Sequence, residues 1–147
     1  MPETAPRSPC IGVCSTTYGD LICRGCYRFA HEVAQWNGYE PTQQTVVLER
    51  LASLRAGAVS RHLSPIHIDQ LVRQAASVKL RRTGGRSAPE TAYEVLRRLS
   101  VWRRPLPWAT EDEDAPIQAH VLLGRIDKDI WQRSEAHYER NFRIAAQ

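Results

Sequence analysis

Residues 9–26, PCIGVCSTTYGDLICRGC, contain all four cysteines of this 147-residue chain, Cys10, Cys14, Cys23 and Cys26, in the spacing C-x3-C-x8-C-x2-C. Two close pairs across a short loop point to a metal site. Each pair supplies two thiolates from one turn of backbone, and two pairs can close a tetrahedron around Zn²⁺ or iron, or hold an iron–sulfur cluster. The C-x2-C half is the common knuckle form, and Gly25 inside it is expected to let the backbone pass beneath an ion without a Cβ clash. Gly19 followed by Asp20 is a turn signal, so the loop between the pairs is expected to double back as a small hairpin. Two disulfides, or a redox dithiol at Cys23 and Cys26, are the alternative readings. Disulfides need an oxidising compartment, and MPETAPRSP has no cationic stretch leading into an apolar core and cleavage site; the expected setting is cytoplasmic.

Downstream of Cys26 nearly every segment has a helical period and none alternates convincingly as a strand, so the expected class is mainly α: a four-cysteine knuckle followed by about five helices. No apolar run approaches the roughly 18 residues of a membrane span. A first helix is predicted over Phe29–Asn37, with Phe29, Val33 and Trp36 on one face and Gly38 ending it. A second starts with Thr42 as N-cap, places Val47, Leu51, Leu54 and Ala58 on one stripe, and has Gly57 near its end. Residues 1–60 are thereby read as a metal module with two helices, and 61–147 as a helical extension with a possible boundary at 81–88.

The cysteine segment and the first helix resemble DUF1289, a bacterial family of small proteins usually described as probable iron–sulfur or metal-binding. Ser8-Pro9-Cys10-Ile11, Val13-Cys14, Gly19, Cys23, Gly25-Cys26, Arg28, Glu32-Val33 and Trp36 carry the likeness, over roughly the first third of the chain. The resemblance implies the fold of a module and four cysteine ligands, and no reaction. The family commonly has Thr after the Arg, making a Thr-x-x-Glu capping box. Here Phe29 stands at that place, so this helix must be capped in another way.

In the extension, Ser64-Pro65 opens a third helix, with Ile68, Leu71, Ala75 and Val78 inward and an end near Arg82. The stretch Arg81–Ser87 reads as an exposed loop. Ser87 or Ala88, followed by Pro89, starts a fourth, whose apolar face is Ala92, Val95, Leu96 and Leu99, with Glu94 able to pair with Arg98. Residues 102–108, WRRPLPW, cannot continue a helix through two prolines. Trp102, Arg103, Arg104 and Trp108 are a candidate partner-docking surface; the competing reading has both rings covering helix ends. The acidic run 111–114 precedes Pro116 and is expected at the positive end of the last helix. That helix places Ile117 and Val121 on one stripe and Trp131, Tyr138 and Phe142 further along, while Leu122, Leu123, Ile126 and Ile130 point elsewhere. Gly124 is a candidate break within it.

Charge is uneven: residues 1–60 have five basic and five acidic side chains, 61–110 ten and three, 111–147 five and eight. The basic middle is almost all arginine, which suits bidentate phosphate contacts. Arg73, Lys79, Arg81, Arg82, Arg86, Arg97 and Arg98 would form a nucleic-acid footprint; an ordinary basic outer face is the plainer reading. Catalysis has little support. His31 follows Cys26 closely, but four thiolates already fill a tetrahedral site, which leaves it a place beside the site or on the surface. His62, His67, His120 and His137 lack ligand spacing, His67 is expected to be exposed, and there is no phosphate loop, nucleophile elbow or zinc-protease motif.

Three functions compete on the sequence. One is a non-catalytic protein stapled by a Zn²⁺ knuckle, whose extension binds a protein partner or another copy of itself. The second is an iron–sulfur protein of electron transfer or redox sensing. The third is a nucleic-acid-binding regulator. Zinc is slightly favoured over iron because the ligands lie in one short segment and no second cysteine cluster or flavin signature offers an electron path.

Overall fold

Serine and proline set the helix starts. The computed structural model describes residues 8–11, 14–80, 86–109 and 118–143. Five α-helices occur among these residues: α1 (Ala30–Gln35), α2 (Pro41–His62), α3 (Pro65–Arg73), α4 (Ala88–Val101) and α5 (Ala119–Tyr138), the last running into a π-helical turn, Glu139–Arg143. The only extended pairing among them is an isolated antiparallel bridge between Ile22 and Phe29. No helix among the described residues is long and apolar enough to cross a membrane. The chain divides into two units, Met1–Ser53 with Ile130–Gln147, and Leu54–Asp129.

In the Leu54–Asp129 unit, Ser64 and Ser87 cap α3 and α4 as expected, accepting from the N–H of His67 (3.3 Å) and Glu90 (3.4 Å), with proline in each first turn. The expected inner faces are buried: Ile68, Leu71, Ala75 and Val78, then Ala92, Val95, Leu96 and Leu99. Helix α3 nevertheless stops at Arg73, well short of Arg82. Ala75 and Val78 reach the core from a following turn, which closes with Lys79 left-handed (φ 58°), its N–H on Ala76 O (3.1 Å) and Leu80 N–H on Ala75 O (3.0 Å). This is a Schellman ending with lysine where glycine is usual. Helix α4 ends the same way: Arg103 is left-handed (φ 52°), and Arg104 N–H donates to Leu99 O at 2.9 Å. Glu94 pairs with Arg97 at 3.1 Å, one residue nearer than the expected Arg98, whose guanidinium turns towards Trp102.

Helix α2 begins at Pro41, one residue before the expected cap, and Gln43 Oε1 accepts from Glu40 N–H at 2.8 Å. It continues through Gly57 to His62. A glycine in mid-helix costs about 1 kcal/mol, and the complete burial of Ala58 and Val59 immediately after it offsets that. Helix α5 likewise passes through Gly124 unbroken. Its buried stripe is Ala119, Leu122, Ile126, Ile130 and Ser134, while Val121 is exposed. The set expected to point elsewhere is therefore the core face; Ile117 and the acidic run lie outside the described residues, as do Arg81 and Arg82.

Candidate metal centre

Ser15–Tyr18 form one 3₁₀ turn, closed by Gly19 at φ 97° with its N–H on Thr16 O (3.1 Å) and Asp20 N–H on Ser15 O (3.4 Å). The Ser15 hydroxyl then joins this turn to the next, accepting from Arg24 N–H at 2.8 Å and donating to Ile22 O at 3.4 Å. The chain folds back over residues 21–30 through Cys23 N–H to Arg28 O (2.9 Å), Tyr27 N–H to Cys23 O (2.8 Å) and Ala30 N–H to Leu21 O (2.8 Å). Cys23 and Cys26 lie near each other at its tip, both buried. The left-handed residue that this fold-back needs is Tyr27 (φ 64°), and Gly25 does not fill that role. Burial among apolar neighbours holds the tyrosine there against about 1 kcal/mol of strain.

Donors surround the sulfurs. Burial pushes the Cys23 thiol up, yet the N–H groups of Cys26, Gly25 and Ser15 and the Cys26 thiol all bond to it, and the net direction is down. Burial pushes Cys26 up and prevails over Arg28, whose Nε donates to its Sγ at 3.2 Å. Cys14, half-buried, is lowered by hydrogen bonds from Thr16 (3.3 Å) and Thr17 and, less, by the charge of Arg28. Cys10 is exposed, with its own N–H on Ser8 Oγ at 3.3 Å. No disulfide joins any of the four. Among the described residues no three His, Cys, Asp or Glu side chains are grouped closely enough to hold an ion. The structure thus buries Cys23 and Cys26 in one turn with hydrogen-bond donors on both sulfurs, while Cys14 is half-buried and Cys10 exposed.

Arg28 is 4% exposed. Its guanidinium lies 5.0 Å from the Trp36 ring centroid and takes part in none of the ion pairs among the described residues. A buried cation needs a counter-charge, and the sulfurs of Cys26 and Cys14 are the groups it faces. Beyond it, Glu32 is buried, accepts from Phe29 N–H at 2.9 Å, and takes a two-pronged contact from Arg50 at 2.7 and 2.6 Å. Gln44 donates to Trp36 O at 2.8 Å.

Residues 8–55 match the family "Protein of unknown function (DUF1289)". No curated protein and no solved structure matches the chain. Within the DUF1289 segment, the residues that carried the likeness acquire physical roles: Arg28 faces the sulfurs, Glu32 caps α1 and pairs with Arg50, and Trp36 covers Arg28. Glu32 supplies the reach-back half of a capping box even without the threonine. Phe29, which replaces it, is buried in an aromatic cluster with His31 (5.8 Å), His137 (5.5 Å), Tyr138 (5.5 Å) and Phe142 (5.3 Å). His31 packs on Phe29 and Phe142 and makes no described contact with a cysteine. Trp36 is marked by its place on the helical face with Phe29 and Val33, whereas no spacing rule singles out an arginine two residues after a cysteine.

Outside the DUF1289 segment the two candidate surfaces are re-sorted. Arg73 pairs with Asp69 (2.9 Å) and Arg97 with Glu94, and Arg86 is exposed on a hollow it shares with Arg73. Arg98 and Arg104 gather on the Trp102 ring, exposed Arg103 follows that ring in sequence, and exposed Lys79 follows Val78, whose carbonyl Arg98 reaches. Trp108 stacks on His67 at 4.1 Å, covering the start of α3, so His67 is half-buried where exposure was expected.

Proposed function

We propose that this protein is a non-catalytic, cysteine-ligated metal protein. Cys10, Cys14, Cys23 and Cys26 hold one Zn²⁺ that staples the N-terminal segment, and the helical extension binds a macromolecular partner. The observation that carries the metal reading is buried Arg28, with Nε on Cys26 Sγ and no carboxylate partner among the described residues. Four thiolates around one divalent cation leave a net negative charge, which is what such a guanidinium requires. The N–H donors on Cys23 fit the same chemistry, since they stabilise a sulfur anion. The bound ion would cross-link two turns of chain and, with all four positions filled by thiolate, offer no open site for a substrate. Such binding contributes on the order of 10 kcal/mol to folding in favourable cases.

Elemental analysis with an ultraviolet–visible spectrum tests this, on protein purified without oxygen and without added metal. One zinc per chain and no visible absorbance is the expected result. Iron with sulfide and a brown chromophore would replace zinc by an iron–sulfur cluster on the same ligands; absence of any bound metal would overturn the reading.

A further inference from the structure

Two arginines at the end of α4 meet around one ring and reach the carbonyls of the turn that ends in Lys79. The Arg98 guanidinium lies 5.9 Å and that of Arg104 4.8 Å from the centroid of Trp102. Both also donate to carbonyls of one turn, Arg98 Nη1 to Val78 O at 3.4 Å and Arg104 Nη1 to Ser77 O at 3.1 Å. Lys79 projects from that turn and Arg103 follows Trp102; both are exposed and both close Schellman endings. None of these four cations takes part in an ion pair among the described residues, whereas Arg73 and Arg97 do. Trp102 itself is 37% exposed and neighbouring Val101 77%.

We propose that this face of the Leu54–Asp129 unit binds single-stranded nucleic acid, with the four cations on phosphates and the exposed part of the Trp102 ring receiving an unpaired base. The proposal names the partner in the reading above, resting on its partner-binding half and not on the metal. Planar guanidinium forks match phosphate oxygens. Two of them are already held by backbone carbonyls, so little side-chain freedom is lost on binding. A base paired within a duplex has its faces covered, whereas an unpaired base is open to an indole. An acidic peptide would neutralise the cations and leave Trp102 and Val101 facing water.

The full-length protein is titrated against a fluorescently labelled oligothymidylate, with anisotropy read over a series of salt concentrations. Binding should weaken linearly on a log–log plot. Lys79→Gln and Arg103→Gln, both at exposed side chains without described partners in the fold, should each weaken it about tenfold and flatten the slope by about 0.7. Trp102→Ala should weaken it about tenfold with the slope unchanged, and Arg73→Gln, in its own ion pair, should change nothing. A duplex bound as tightly as the single strand, or indifference to Lys79→Gln and Arg103→Gln, overturns the proposal. Polyglutamate binding through these residues in place of the oligonucleotide also overturns it and leaves the partner-binding reading standing. If neither polyanion binds, both fall, and the metal reading is unaffected.

Discussion

Arg28 is the residue at which the proposed site is best tested, because a guanidinium that is 4% exposed and donates to Cys26 Sγ is stabilised by negative charge on sulfur. Arg28→Met keeps most of the stem that packs on Trp36 and removes the charge. It should lower metal affinity about tenfold or more, the usual effect of losing a group that orients a ligand, as read by competition with a chelating dye. Cys23→Ser and Cys26→Ser should lose the metal altogether, whereas His31→Ala, which removes only ring contacts to Phe29 and Phe142, should retain it. Metal loss from the His31 variant would show the ligand set to be wrong. Glu32 governs acid stability. Burial pushes its carboxyl up, but Arg50 and Phe29 N–H prevail and hold it below the ordinary value of 4.5. A depressed carboxyl contributes stability that is complete above its unfolded pKa and is lost as pH falls through the folded one. His137 is lowered below 6.5 by burial and by the charges of Arg50 and Arg140, so the unfolded chain takes up that proton first, and stability begins to fall as pH drops below 6.5. Thermal melts should therefore shift down on acidification below that value and again below 4.5. The second step should disappear in Glu32→Gln, which should itself cost about 3 kcal/mol at neutral pH by leaving Arg50 without its carboxylate.

Element boundaries show what the sequence carries and what it lacks. Ser64-Pro65 and Ser87 with Pro89 were legible because capping is a local matter of one hydroxyl and one N–H, and each of Ser64→Ala and Ser87→Ala should cost about 1 kcal/mol in a denaturant melt. The end of α4 at Val101 was legible from the two prolines of 102–108, but that of α3 was not: Lys79 adopts a conformation that glycine advertises and lysine does not. Helix α5 is apolar on more than one side, as its two sets of residues predict, but the sequence does not say which core each set joins. Tyr138 and Phe142 belong to the cluster around Phe29, whereas Leu122 and Ile126 are core residues of the Leu54–Asp129 unit, so two stripes coexist on one continuous helix and a single period cannot describe both. Gly124, a candidate break by propensity alone, is carried through by the burial of Ile126 and Ile130 after it. In the candidate site the sequence offers four cysteines as ligand candidates through C-x3-C-x8-C-x2-C. The counter-charge was not legible, since nothing in a pattern of cysteines specifies where a buried arginine will sit.

For the molecule as a whole, the division into two units predicts that the contribution of the proposed metal to folding is confined to the unit that holds the cysteines. The Leu54–Asp129 unit buries an aliphatic set of Val59, Leu71, Val78, Val95, Leu96 and Ile126, with no cysteine among them. The other unit relies on Phe29, Trp36, Leu51 and Ile130 around a cysteine turn whose local structure is one bridge, a few turn hydrogen bonds and a left-handed tyrosine. Loss of a bound ion should then act locally. In hydrogen–deuterium exchange, a strong chelator should speed exchange at the amides of Cys23, Tyr27 and Ala30, which are hydrogen-bonded within the turn, and should spread to α1, which begins directly after it. Amides of α4 should keep their protection, because their hydrogen bonds are internal to a helix whose inner face is mainly apolar. Equal acceleration in α4 would mean that the chain unfolds as one cooperative body when the metal leaves, and unchanged exchange at Cys23 and Tyr27 would mean that the turn stands without it.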